Sequence, residues 1–191
     1  PDEVIAYCKR LQAELQAVRF HERNVEVELD VRDLRGGEKS WSWVKKGIPV
    51  RLEIGPRDVA QDAVFMARRD RPTSDKKEAI PRETFVAGLP ALLDDIQAQL
   101  FARARERRAA QTREIDSKDA FYSYFGADQE SVPAGTGFAL THWSGDPAIE
   151  AQLKQDLSVT LRCIPFDKSE PGTCPFSGQP SAQRVLWARA Y

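Results

Sequence analysis

The sequence predicts an α/β protein of two small domains joined by a long helix, and three features carry that prediction. Val25, Val27, Leu29 and Val31 alternate with Glu26, Glu28, Asp30 and Arg32, the two-residue period of a strand with one buried face. Leu92, Leu93, Ile96, Leu100 and Phe101 recur at the spacing of one helical face. Beyond Ser117 the composition turns aromatic and then Gly/Pro-rich before helix and strand patterns resume, which marks a second unit.

Residues 2–19 open the chain as an amphipathic helix, with Val4, Ile5, Cys8, Leu11, Leu15 and Val18 on one side and Asp2 as N-cap. The alternating strand over 25–31 follows, then a loop carrying Gly36-Gly37. Ser40 is placed to cap a short helix over 41–46 that stops at Gly47, because glycine accepts the left-handed conformation helix ends favour. Residues 48–54 read as a buried strand running into the turn Gly55-Pro56-Arg57-Asp58. Strands over 63–67 and 77–80, separated by a polar stretch, make a hairpin.

The long helix carries the apolar stripe named above and runs on to about Glu114, with Arg103, Arg105, Arg107, Arg108 and Arg113 on a solvated surface. Pro90 kinks or restarts it, since proline lacks a donor and clashes with the preceding turn. In the second unit a short helix bears Phe121, Tyr122, Tyr124 and Phe125. A strand over 138–143, a helix over 147–157, a strand over 159–164, a proline-rich loop and a last strand over 184–191 complete it.

Composition narrows the function classes. The chain of 191 residues is 41% hydrophobic and 30% charged, ordinary for a globular protein with a packed core. It has no apolar run of about 18 residues and opens on Pro1-Asp2-Glu3, so neither a membrane span nor a secretory signal is expected and the expected compartment is the cytoplasm. The 3 cysteines are too scattered for a disulfide framework. A net charge of -1 offers no global attraction to a polyanion, so any nucleic-acid binding must come from a local concentration of Arg and Lys. With only 2 histidines, no phosphate-binding glycine loop and no carboxylate pair that stands out, no catalytic constellation is legible.

Two stretches are specific: Gly47-Ile48-Pro49-Val50-Arg51-Leu52-Glu53-Ile54-Gly55-Pro56-Arg57-Asp58, and Leu161-Arg162-Cys163-Ile164-Pro165-Phe166 followed by the terminal Ala188-Arg189-Ala190-Tyr191. With Arg68-Arg69-Asp70 and Ser144-Gly145-Asp146-Pro147 in the same order, they make essentially the whole chain resemble the carboxy-terminal region of prolyl-tRNA synthetase of the archaeal and eukaryotic type. The resemblance implies a mixed-sheet anticodon-binding domain with flanking helices over 1–112, a long connecting helix, and a small α/β C-terminal domain over 113–191. It implies a role in anticodon recognition and C-terminal support within a proline–tRNA ligase. That enzyme uses ATP, Mg²⁺, proline and proline tRNA and is homodimeric, and its catalytic domain lies in the same polypeptide. A stand-alone tRNA-binding or regulatory module without ligase activity is the alternative. The family domain begins with a β-strand whereas this chain begins at a helix, so a segment of a longer polypeptide is expected.

By position, the resemblance makes Arg51, Arg57 and Lys77 the anticodon-binding groups and directs Tyr191, with its free carboxylate, toward the active site. The logic is physical: bases of an unpaired loop can be splayed out and read on their edges by a few fixed polar groups. The family's acidic reader of a guanine edge aligns with Val44, leaving Asp30, Asp33 or Glu53 as substitutes. Other readings stay open: Arg51 as an ion-pairing surface residue, Arg57 and Asp58 as an internal salt bridge, and Trp41 and Trp43 as packing rather than base platforms. The family's structural zinc would sit in a Cys-x4-Cys pair and a Cys-x2-Cys pair, positions that read Ser144, Ile149, Cys174 and Ser177 here, so zinc is not expected. Trp143, Phe166, Phe176 and Trp187 are then expected to supply the missing stability by packing.

Overall fold

The computed structural model describes residues 2–71, 79–126 and 137–189. The chain forms two compact units, Pro1–Arg103 and Ala104–Tyr191.

In the first unit α1 (Asp2–Ala17) buries Tyr7, Leu11 and Leu15, while Ile5 stays 39% exposed. The stripe therefore turns on Tyr7, whose hydroxyl donates to Ala63 O at 3.0 Å in the core. β1 (Arg19–Phe20) and β2 (Arg23–Asn24) form a tight hairpin. The strand expected over 25–31 is absent: the segment is extended and alternates half-buried Val25, Val27 and Leu29 with exposed Glu26 and Glu28, but belongs to no ladder. Period two reports an extended backbone with one covered face; it does not report whether a neighbouring strand is there to pair.

α2 (Gly36–Lys46) starts before the expected helix and takes Gly36-Gly37 into its first turn, with Arg35 rather than Ser40 at the N-cap and no side-chain cap bond. Its end is as expected: Gly47 sits at φ 78 with its N–H on Trp43 O and Val44 O. β3 (Val50–Glu53) is half-buried rather than buried. The Gly-Pro-Arg-Asp sequence starts a one-turn helix, α3 (Pro56–Ala60), in place of a simple turn, because Pro56 presets its first φ and the Asp58 carboxylate accepts the Gly55 N–H at 2.7 Å. β4 (Ala63–Arg68) pairs antiparallel with β3 and with β5 (Ala79–Pro81), realising the expected hairpin.

α4 (Arg82–Ala110) runs unbroken through Pro90, so no restart occurs there. Phe85, Leu89 and Ile96 are its buried residues, and Phe101, expected on the stripe, is 61% exposed. Val64 at the sheet centre packs with Tyr7, Leu11, Leu15, Phe85 and Leu89, so α1 and α4 cover one face of the three-stranded sheet.

In the second unit the residues expected to end the long helix form a strand, β6 (Thr112–Glu114), parallel to β7 (Phe138–His142). Local arginine-rich composition favours helix, and the ladder with β7 overrides it. α5 (Lys118–Gly126) buries Phe121 and Phe125. α6 (Pro147–Leu157) begins where expected, with Pro147 in the first turn and Asp146 accepting the Ala148 N–H at 2.9 Å. β8 (Val159–Cys163), a short hairpin of β9 (Gly172–Thr173) and β10 (Pro180–Ser181) inside the expected loop, and β11 (Arg184–Arg189) follow. The sheet order is β6-β7-β11-β8, a mixed sheet, which with its helices makes the α/β class plain. Trp187 and Phe121 are fully buried at its centre, their rings edge-to-face at 6.0 Å, and Phe176 stands edge-to-face on Phe121 at 5.0 Å. Phe166, expected in this core, is fully exposed.

Candidate nucleic-acid interface

Alternation along β3 decides where Arg51 points. Val50, Leu52 and Ile54 pack against the core, so Arg51 and Glu53 lie on the opposite face of the sheet. The register sets Arg51 across from Ala67, and Glu53 across from Phe65, which pairs in turn with Ala79. The Arg51 Nε is shielded from water and has no hydrogen-bond partner among the described residues. Such a donor is costly unless something completes it.

Arg57 projects from α3 and is exposed. The salt bridge within Arg57-Asp58 is not formed: Asp58 is spent on the Gly55 N–H, and no ion pair of Arg57 occurs among the described residues. Lys77 and Tyr191 lie outside the described residues.

Val44, half-buried on α2, offers no acceptor through its side chain. Of the acids that could replace it, Asp30 is committed elsewhere. Arg32 Nε and Nη2 reach its two oxygens at 2.8 and 2.6 Å, and the Trp43 indole N–H donates to Oδ2 at 2.8 Å. The Arg32 hydrogen bond, aided by that of Trp43 and opposed by desolvation, holds the Asp30 carboxyl well below the usual carboxylate range. Glu53 is the one that shares the outer face with Arg51.

The Arg68-Arg69-Asp70 stretch, to which the sequence assigned no role, forms a charged group at the end of β4. Arg68, whose side chain is 8% exposed, donates through Nε and Nη2 to the Asp70 carboxylate at 2.9 and 2.8 Å and through Nη2 to Asp95 at 2.5 Å. Together with Arg71, Gln99 and Arg103 these residues line an open cleft of about 350 Å³. Its main work is mechanical: Arg68 ties the sheet to α4. Arg69 donates through Nη1 to Gly47 O at 3.1 Å and so clamps the end of α2 against β4. In sequence Arg68 and Arg69 look like surface charge, because the contacts that tie them to other elements, Asp95 for Arg68 and the Gly47 carbonyl for Arg69, are 27 and 22 residues away.

In the second unit the donor set around β9 and β10 does not fit a structural metal. Ser144 and Ser177 hold each other, Oγ to Oγ at 3.3 Å, and Ile149 packs against the apolar core. Cys174 is fully buried. Burial pushes its thiol up, but hydrogen bonds from the Ser177 side chain and from the backbone of Phe176, Ser144 and Ser177 outweigh that and leave it below the ordinary value. One thiol, two hydroxyls and an alkyl group cannot close the tetrahedron of N and S ligands that zinc requires.

Family models describe both parts of the chain: "Anticodon binding domain" matches residues 1–92, and "Prolyl-tRNA synthetase, C-terminal" matches residues 129–191. Proline–tRNA ligase 2 of Anaeromyxobacter dehalogenans is 53% identical over 195 residues, covering 100% of this chain and 38% of the relative. The proline–tRNA ligase of Bdellovibrio bacteriovorus is 40% identical over 191 residues, covering 99% of this chain and 37% of the relative. Among solved structures, prolyl-tRNA synthetase from Cryptosporidium parvum complexed with L-proline and AMP superposes with a TM-score of 0.76 at 24% identity, covering 100% of this chain and 38% of that one. That last likeness is one of fold. The chain spans about 38% of the length of the curated relatives it matches.

Proposed function

The chain belongs to the prolyl-tRNA synthetase family, of which it carries the anticodon-binding and C-terminal regions, and on that premise we propose that its β3–α3 surface reads the anticodon of proline tRNA. The observation that carries the proposal is the state of Arg51: a half-buried cation on the outer sheet face, across from Ala67 in the ladder, whose Nε has no hydrogen-bond partner among the described residues. Arg57 supplies a second cation a few residues on, and this one is exposed. A guanidinium fork matches the acceptor pair of a guanine edge, and an adjacent carboxylate such as Glu53 accepts from a base amino group. Lys77 joins them as a third cation of this reading.

Residues 1–112 carry the recognition role in this proposal. Residues 113–191 support it, a division lying slightly beyond the boundary of the compact units. The whole protein is then an ATP- and Mg²⁺-dependent proline–tRNA ligase, homodimeric and cytoplasmic, with its chemistry in a catalytic domain of the same polypeptide. None of the described helices is long and apolar enough to cross a membrane.

The test is binding of full-length protein to proline tRNA and to the same tRNA with an exchanged anticodon. Arg57→Ala is expected to weaken the first about tenfold, the order set by one good base contact, and to leave proline-dependent ATP–pyrophosphate exchange unchanged. Equal loss of binding and exchange would refute a recognition role.

A further inference from the structure

Two tryptophans stand on α2, and the structure uses them differently. Trp43 is half-buried: its indole N–H is bonded to Asp30, Arg32 lies 5.6 Å and Lys46 4.1 Å from its ring centroid, and it lines a cleft of about 270 Å³ with residues of the 28–32 segment. Two residues earlier the helix has turned by about 200°, and Trp41 faces away from that packing. It is 58% exposed and makes no hydrogen bond among the described residues; its neighbour is Lys45, one turn on, with Nζ 5.9 Å from the ring centroid. An indole left this far in water contributes little to the core and offers a large, flat π-face.

The position of Trp41 is fixed relative to the reading face. The Ile48 N–H donates to Trp43 O at 3.3 Å, the Arg69 N–H to Pro49 O at 2.9 Å and the Arg69 guanidinium to Gly47 O at 3.1 Å, so the end of α2 is tied to the approach to β3 and to the end of β4. The last turn of α2 is basic, through Lys45 and Lys46. A flat aromatic face beside an ammonium is the chemistry that holds an unpaired base and its phosphate, since every base has a π-face and the backbone carries the charge.

We propose that Trp41, with Lys45 beside its ring, is a stacking platform for one unpaired base of the RNA loop whose other bases are read by Arg51 and Arg57. The proposal rests on the anticodon-reading role above and adds to it a contact that is indifferent to base identity. Arg51 and Arg57 select; Trp41 holds the loop open so that selection can occur.

The experiment uses full-length protein and an anticodon stem–loop RNA of proline tRNA carrying 2-aminopurine at one loop position at a time. Wild-type protein is expected to quench the probe at one position by stacking. Trp41→Ala is expected to abolish that quench and weaken binding roughly 5- to 150-fold, the span that base–aromatic stacking covers, with unchanged Tm; Trp41→Phe is expected to restore most of both. Lys45→Ala is expected to weaken binding and flatten its salt dependence. If Trp41→Ala binds normally while Arg57→Ala does not, the stacking role is overturned and anticodon reading stands. If wild-type protein binds no such RNA, both fall. Weakened binding with the quench intact at every position, or with a matching drop in Tm, assigns Trp41 a structural role and overturns the proposal, as does loss of a protein partner with RNA binding intact.

Discussion

Arg184 on β11 grips Asp116 through both carboxylate oxygens, Nη1 to Oδ1 at 2.6 Å and Nη2 to Oδ2 at 3.1 Å, across 68 residues of sequence. Its Nε donates to Glu170, and its side chain is 9% exposed, whereas the two carboxylates are 62% and 54% exposed. The cation is enclosed and the anions are wet. Removing a buried charge lets its partners return to water, but removing the partners strands the charge.

Arg184→Met is accordingly expected to be nearly neutral at pH 7, and the Asp116→Asn, Glu170→Gln double variant to lower Tm by on the order of 10 °C, as an unpaired buried charge does in a small domain. The Arg184 hydrogen bond holds both carboxyls below the usual range, with desolvation opposing. A depressed folded pKa means stability present above the unfolded value and lost as pH falls through the folded one. Wild-type Tm is therefore expected to fall steeply below about pH 4, and the fall to be shallower in Arg184→Met. Thermal melts from pH 2 to 7 check this; parallel profiles would contradict it.

Gly172 lets β9 lie directly on the buried His142 ring, where a Cβ would overlap the imidazole. His142 is buried, so Gly172→Ala is expected to cost about 1–3 kcal/mol by overpacking. Chemical denaturation measures it; a loss no larger than that of Gly36→Ala, where a Cβ would meet nothing within 4 Å, would show that the hairpin yields freely.

The Ser144–Ser177 hydrogen bond and the buried Cys174 close the loop without thiolate ligands. Chelator treatment is expected to leave wild-type Tm unchanged and metal analysis of the purified protein to find no stoichiometric zinc. Changing Ser144, Ile149 and Ser177 together to Cys is expected to confer zinc binding and a chelator-sensitive melt, since it rebuilds the Cys-x4-Cys and Cys-x2-Cys spacing. A wild-type Tm that drops on chelation would sink this reading.

Much of the candidate surface is legible in the sequence, because it sits on one continuous stretch. Gly47 ends α2 in the left-handed conformation its sequence position implies, β3 follows, and Pro56 starts the next element. What could not be read there was partnership. Only the fold commits the Asp30 carboxylate to Arg32 and Trp43, and only the fold half-buries Trp43 while leaving Trp41 58% exposed. The alternation over 25–31 announced a strand and delivered an extended segment outside any ladder.

By itself the sequence determined the α/β class, the helical stripes, the left-handed glycine and the family, because these follow from residue-by-residue propensity, local spacing and motif order. Tertiary structure decided which cations are satisfied and which are not: Arg184 is locked by Asp116, 68 residues away, and Arg68 is held by Asp70 beside it and by Asp95, 27 residues on, while the shielded Arg51 Nε has no partner among the described residues. The physical reason is that a charge acquires its role from what surrounds it in space, and pairing across such separations exists only once the chain has packed.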